Sequence, residues 1–428
     1  MNDAQGNYEM RTRRRTECLK EAVIASFCKP AAEVAAGLAE FSLSDWQRVL
    51  FWLDASGLAL YLLDRLRSLG LQHCLPQPIL ARLCQNLHDN QERTAALFSE
   101  AVAVSSALRQ KHIPCALLKG ITLSPESVPD STLRCQLDLD ILVAEKDAMA
   151  AQQVVMDLGY RLHAVSGNTL EFKAGMSGDP DIGNLYKLRP QRSLELHLLP
   201  GAAKSWGHTQ QNQLTRARPR SIRGTMLPSL SPADLFLQQA LHLFKHLCSE
   251  HTRASWVLEF WRHVLARRVD IAFWREVESL AANEEQANVA IGAATLLATN
   301  VFGEFAPKEL SRWTMDRLSP AVRLWIETYG RRTLLADFPG SKLYLLLRSH
   351  LRSDSDSAQA SLRRLVFPTR LPARITHGEA GERLVSRLKR AQIEVRFLLF
   401  RLRFHVVEGV RYAIESSRWQ RRLAGMTQ

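Results

Sequence analysis

Leu133–Val143 reads LRCQLDLDILV, an apolar run that carries two aspartates, Asp138 and Asp140, one residue apart. Side chains on a β-strand alternate between faces, so Leu137, Leu139, Ile141 and Val143 are placed to enter a core while Asp138 and Asp140 emerge together on the other side. Two carboxylates on one face repel, and a cation between them relieves the repulsion. Oxygen ligands of this kind suit a divalent ion. The stretch therefore reads as a strand whose polar face is a candidate metal site.

Working outward, IPCALLKG at 113–120 is a short β-like run ending in Lys119-Gly120, and the loop TLSPESVPDST separates it from the aspartates. On the other side a helical pattern runs from Lys146 to Leu158 and stops at Gly159. Short β-like pieces follow at Arg161–His163 and Thr169–Lys173, then a loop GMSGDPDIGN, a further strand at Leu185–Leu188, and SLELHLLP at 193–200. In that last strand Leu194, Leu196 and Leu198 take one face, and Glu195 and His197 take the other. A third carboxylate thus stands on the polar side of an apolar strand. The order predicts an α+β fold, with a small mixed β-sheet core inserted between N-terminal and C-terminal helical regions.

The flanks are helical in pattern. SDWQRVLFWLDASGLALYLLDRLRSLG opens on Ser44 as an N-cap and spaces Trp46, Val49, Leu50, Leu53, Leu58, Tyr61, Leu62 and Leu66 at three- and four-residue steps; Ile79–Lys111 is one long helical run. From about Ser205 the helical pattern returns, with helices at SPADLFLQQALHLFKHLC, Trp256–Ala266, Trp274–Ala281, Gln286–Phe302 and Ala321–Tyr329. LRSDSDSAQASLRR reads as a linker before a basic amphipathic terminal helix. The expected domains are 1–110 (helical), 111–203 (α+β core), 204–350 (helical) and 351–428 (linker and terminal helix).

Composition narrows the class. With 46% hydrophobic and 23% charged residues the chain reads as soluble and globular. Its seven scattered cysteines form neither CxxC pairs nor a disulfide framework, which points to a reducing, cytoplasmic setting. The arginine-rich start is followed by a segment too short and polar for a signal-peptide core, and the apolar run Val395–Ile414 is interrupted by six charged or histidine side chains, so no membrane span is expected. The net charge is +13, and residues 361–428 hold fifteen Lys/Arg against five Asp/Glu. That basic tail can follow a nucleic-acid backbone, lie on an anionic membrane surface, or simply be solvated.

Three carboxylates converging from two strands can hold two divalent cations about 3.5–4 Å apart, the arrangement of enzymes that transfer phosphoryl or nucleotidyl groups. Mg²⁺ (or Mn²⁺) suits such hard ligands. Asp138 and Asp140 would bind the metal, with Glu195 as third ligand or base. Gly120 lets the backbone approach a ligand, and Lys119 and Arg134 offer cations to triphosphate oxygens. The plainer alternative has Gly120 only turning the chain and the two cations only offsetting the carboxylates. His197 shares Glu195's face and either orients a ligand, touches substrate or serves the structure. His242 and His246 lie four apart on one helix, but Lys245 sits beside them and no HExxH pattern is present, so packing or nucleotide contact is expected rather than zinc. Trp256, Trp261 and Trp274 lie among aliphatic residues and read as core.

Leu118-Lys119-Gly120, Arg134 followed by Asp138-Leu139-Asp140-Ile141-Leu142-Val143, Leu158-Gly159-Tyr160 and Leu194-Glu195-Leu196-His197 occur in that order within about 80 residues. Together they resemble the uncharacterised bacterial nucleotidyltransferase family of the polymerase-beta-like superfamily. The resemblance implies a sheet with flanking helices and metal-dependent transfer of a nucleoside monophosphate from an NTP to an acceptor, with release of pyrophosphate. It also implies Asp138 and Asp140 as metal ligands and Glu195 as the third acidic residue. The superfamily's Gly-Ser or Gly-Gly turn reads here as Lys119-Gly120-Ile121, and where family members carry an Asp after the core this chain has Glu259. The acceptor, whether small molecule, RNA or protein, is not written in these motifs. Two rival readings are a catalytically inactive nucleotide- or partner-binding protein and a basic helical nucleic-acid-binding protein.

Overall fold

The computed structural model describes residues 2–175, 185–200, 212–284, 286–351, 365–366, 368 and 384–426. The expected loop over 176–184 and the linker over 352–364 lie outside them. By its internal contacts the chain divides into two units, Met1–Phe244 with Arg253–Leu318, and Lys245–Thr252 with Ser319–Gln428.

The first unit opens with helices α1 (Asn2–Ala25), α2 (Ala31–Ala39), α3 (Leu43–Ala55), α4 (Ala59–Ser68) and α5 (Gln77–Gln110). The cap of α3 is Ser42, not Ser44. Asp45, three residues on, accepts from the Ser42 backbone N–H at 2.9 Å while the Ser42 hydroxyl accepts from the Asp45 N–H, a capping box that satisfies two donors at once. The apolar residues expected to face inward from α3 and α4 are all buried.

The sheet follows. Strands β1 (Cys115–Leu118), β2 (Leu139–Ala144), β3 (Arg161–Ser166), β4 (Thr169–Ala174), β5 (Arg192–Leu199), β6 (Arg218–Ile222) and β7 (Thr225–Ser229) lie in the order β3-β4-β5-β2-β1-β7-β6, with helix α6 (Ala148–Asp157) between β2 and β3. Pairing is mixed: β2–β5 and β1–β7 are parallel, the other neighbours antiparallel. Leu139, Ile141 and Val143 from β2 and Leu194 and Leu196 from β5 pack against Val104 and Leu108 of α5 and Val154 and Val155 of α6. Each such side chain contributes about 1.5–3 kcal/mol on burial. The alternate residues of the same two strands, Asp140, Glu195 and His197, point to the opposite face.

Three local readings are corrected. The strand begins at Leu139, so Leu137 lies before it and is 37% exposed rather than in the core. Leu185–Leu188 forms no strand, because the carbonyls of Leu185 and Lys187 are taken by the Arg93 guanidinium of α5 instead of a neighbouring strand. The stretch after Ser205, read as helix, contains the β6–β7 hairpin, which extends the sheet beyond β1.

The first unit closes with α7 (Pro232–Leu247, to Phe244), α8 (Ala254–Ala266), α9 (Ile271–Ala281) and α10 (Ala287–Phe302). In the second unit α11 (Pro320–Trp325) runs into a π-helical turn at Ile326–Gly330, followed by α12 (Tyr344–Leu351) and the long α13 (Leu384–Met426). Glu408 of α13 accepts from the Ser341 hydroxyl at 2.8 Å, Glu415 accepts from the Tyr329 hydroxyl at 3.0 Å, and Trp419 is buried beside Tyr329. Among the described residues no helix is long and apolar enough to cross a membrane, and none of the seven cysteines forms a disulfide.

Candidate active site

The chain leaves β1 through two residues with positive φ, Lys119 at +48° and Gly120 at +50°. A non-glycine residue in that region stores roughly 1–3 kcal/mol of strain, which the surrounding contacts must hold. A Cβ on Gly120 would come within 2.1 Å of the Gln136 side-chain oxygen, and the Gln136 amide donates to the Asp138 carbonyl at 2.7 Å. The turn and the residues leading into β2 are thereby locked together. Lys119 Nζ ends 3.6 Å from Asp140 Oδ1.

The parallel register of β2 and β5 sets Asp140 directly beside Glu195. His197, two residues further along β5, turns its Nε2 toward both: 2.8 Å to Asp140 Oδ1 and 3.3 Å to Glu195 Oε2. Its Nδ1 lies 3.3 Å from the Thr169 hydroxyl of β4. Ligand atoms of Asp140, Glu195 and His197 fall within 4.8 Å of one another, the one such group of three or more His, Cys, Asp or Glu among the described residues. Asp138 stands just outside this cluster, half-buried ahead of the strand. His242 and His246 belong to no such group.

The electrostatics follow the geometry. Burial raises the pKa of the Asp138 carboxyl, and the charges of Asp140 and Glu195 raise it further against the pull of Lys119 and Arg134. Burial acts the same way on Asp140, but the His197 hydrogen bond and the Lys119 charge outweigh it and hold that carboxyl below the usual range. For His197 burial disfavours the cation, and the hydrogen bonds to Asp140 and Glu195 more than offset this, so its pKa is raised. Of the two aspartates, Asp138 is the one whose ionised form the site disfavours.

Arg134, expected at the phosphates, is held sideways. Its Nε lies 3.3 Å from Glu259 Oε1 of α8, and the Tyr61 hydroxyl of α4 donates to the same carboxylate at 2.9 Å. Glu259 is fully buried, so this charge pair is desolvated. A cavity of about 20 Å³, room for one water, opens where Lys119 and Arg134 face Gln238, His242 and Trp256. Trp256 is thus a half-buried cavity wall whose ring meets His242 at 4.9 Å, whereas Trp274 is core as expected.

Asp140, Glu195 and Lys119, expected in one neighbourhood from the sequence, are brought together by the fold. His197, expected to orient a ligand, touch substrate or serve the structure, clasps both carboxylates, and Tyr61 and Glu259, which no sequence pattern linked to Arg134, enclose it. The shared face of Glu195 and His197 signalled the first. Nothing local signals the second, since the partners lie 125 and 198 residues apart from Glu259.

The chain belongs to the uncharacterised nucleotidyltransferase family, whose model matches residues 42–303, more than half its length. Among solved structures it is similar to the antibiotic-resistance factor ANT(2'')-Ia, with 13% identity, 45% of this chain and 91% of that one covered, and a TM-score of 0.29. It is likewise similar to an antigenic nucleotidyltransferase-like protein from Paracoccidioides brasiliensis, with 15% identity, 43% and 91% covered, and a TM-score of 0.26. No curated protein matches the chain.

Proposed function

We propose that the chain moves a nucleoside monophosphate from an NTP to an acceptor, with a divalent cation held at Asp138, Asp140 and Glu195. The observation that carries this reading is the pairing of Asp140 with Glu195 across β2 and β5, with Asp138 beside them as an acid whose ionised form is disfavoured first by burial and then by their charge. The proposed donors are three carboxylates, hard oxygen ligands that fit Mg²⁺ or Mn²⁺. Bound there, such an ion would offset charge on the phosphate oxygens and on the leaving pyrophosphate.

The protein's own groups do the rest. Lys119, fixed by its strained turn, presents an ammonium beside Asp140 to the triphosphate, and Gly120 lets the phosphates approach the backbone. Arg134 adds positive potential from behind, held in place by Glu259. His197 spans Asp140 and Glu195, fixing their orientation, and its exposed edge offers a contact to substrate. Glu195 is also the group positioned to take a proton from an acceptor hydroxyl or amine. Incubating the protein with α-phosphate-labelled NTPs, Mg²⁺ and a cell lysate tests the reading. Label transferred by the wild type and not by Asp138→Ala supports it, and Mg²⁺-dependent NTP binding with no transfer to any acceptor favours the nucleotide-binding alternative.

A further inference from the structure

Helix α13 carries ten Lys/Arg against three Glu, and six of its exposed aliphatic side chains fall on one stripe. Val385, Leu388, Val395, Leu399, Leu402 and Val406 recur at steps of three, four and seven residues, and each is at least half exposed. This seam runs for roughly 30 Å at 1.5 Å per residue. Lys389, Arg396 and Arg403 follow one another at seven-residue steps along one edge of it. The acids are elsewhere: Glu408 and Glu415 are buried on the opposite face, and Glu394 lies toward it. An exposed aliphatic seam of this length marks an interaction surface.

The flanking charge selects the occupant. A second copy of the helix packed seam to seam would bring to the Lys389-Arg396-Arg403 row either the same cations, if antiparallel, or Ala391, Leu398 and His405, if parallel. Neither orientation supplies a carboxylate. A nucleic acid would match the cations but leave the Leu/Val seam in water, and Phe400 is the one large aromatic exposed on this helix for bases to stack on. Anionic lipid satisfies both halves, taking the aliphatic seam into the acyl boundary and the cations at the headgroups. We propose that α13 is a peripheral membrane anchor that lies in the headgroup plane of a bilayer containing anionic lipid.

Co-sedimentation of the full chain with phosphatidylcholine vesicles, and with vesicles that also contain phosphatidylglycerol, tests this. The wild type should partition to the anionic vesicles only, and added salt should weaken it. Replacing Arg396 or Arg403 with Gln should each lower partitioning roughly fivefold. Leu399→Asp with Leu402→Asp should abolish it while circular dichroism and Mg²⁺-dependent ATP binding stay as in the wild type, since both leucines face solvent. Equal binding to neutral vesicles, binding that survives the leucine substitutions, or no binding would overturn the proposal. So would a dimer in light scattering that the leucine substitutions split, or salt-sensitive binding to duplex DNA that they leave intact.

Discussion

Asp140 is where a lysine, a histidine and a neighbouring glutamate converge. Asp140→Asn keeps its shape and removes its charge, and should cut nucleotidyl transfer by about two to three orders of magnitude, measured by label transfer on a variant whose circular dichroism shows it folded. Glu259→Gln acts on stability instead. It leaves Arg134 buried without its carboxylate and should cost about 3–5 kcal/mol in denaturant unfolding, whereas Glu259→Gln combined with Arg134→Met should recover much of that loss. His263 predicts a pH dependence. It is fully buried between Gln239 Oε1 at 2.9 Å and the Ser127 hydroxyl at 3.0 Å, and burial pushes its pKa down to about 3, against a weaker opposing pull from Glu126. Below about pH 6.5 the unfolded chain takes up a proton that the folded one refuses, so stability falls with falling pH, by up to about 1.4 kcal/mol per unit. Comparing unfolding curves of the wild type and His263→Gln between pH 7 and about pH 4 isolates this slope, which the variant should lack. Of these residues only Asp140 was legible in advance, because strand alternation is a local rule. Glu259 and His263 act through partners far along the chain, and spacing alone does not reveal them.

Among the elements, the β1 exit turn has the most to lose from a small change. Gly120→Ala demands a positive φ from a residue with a Cβ and pushes the Gln136 amide off the Asp138 carbonyl. NTP affinity, measured by calorimetry, should fall at least tenfold, a penalty of about 1.4 kcal/mol or more. Ser42→Ala, at the cap of α3, should cost about 1 kcal/mol and leave NTP affinity alone. The helices were readable from their 3.6-residue period and the site strands from their alternation. The β6–β7 hairpin was not, since Arg218-Pro219-Arg220 is a poor strand opening and its long connection to β5 hides the pairing with β1. Its usable signal was Arg223-Gly224, a two-residue turn with positive φ at both positions between Ile222 and Thr225.

For the whole molecule, the order of four short motifs carried more information than any one of them, and the family model spans the same region. Charge distribution was also legible: the excess in the last sixth of the chain lies largely on α13. Its sorting into an aliphatic seam, a cationic edge and buried acids was not, because that depends on which face Tyr329 and Ser341 cover. A cation bound only by the folded state stabilises it by mass action. Mg²⁺ should therefore raise the melting temperature of the wild type and not of Asp140→Asn, read by differential scanning calorimetry.

The parallel pairing of β2 with β5 also sets a timetable. Asp140 and Glu195 become neighbours only after a loop of about 55 residues closes, at an entropic cost on the order of 3–4 kcal/mol. The β3–β4–β5 meander can form by local antiparallel pairing, but β2 has no carboxylate partner until that meander docks alongside it. A chain still emerging from the ribosome therefore displays the Asp138–Asp140 pair without the group that completes it. Only the closed sheet sets Asp140 beside Glu195, so the proposed transfer would have to wait for that docking.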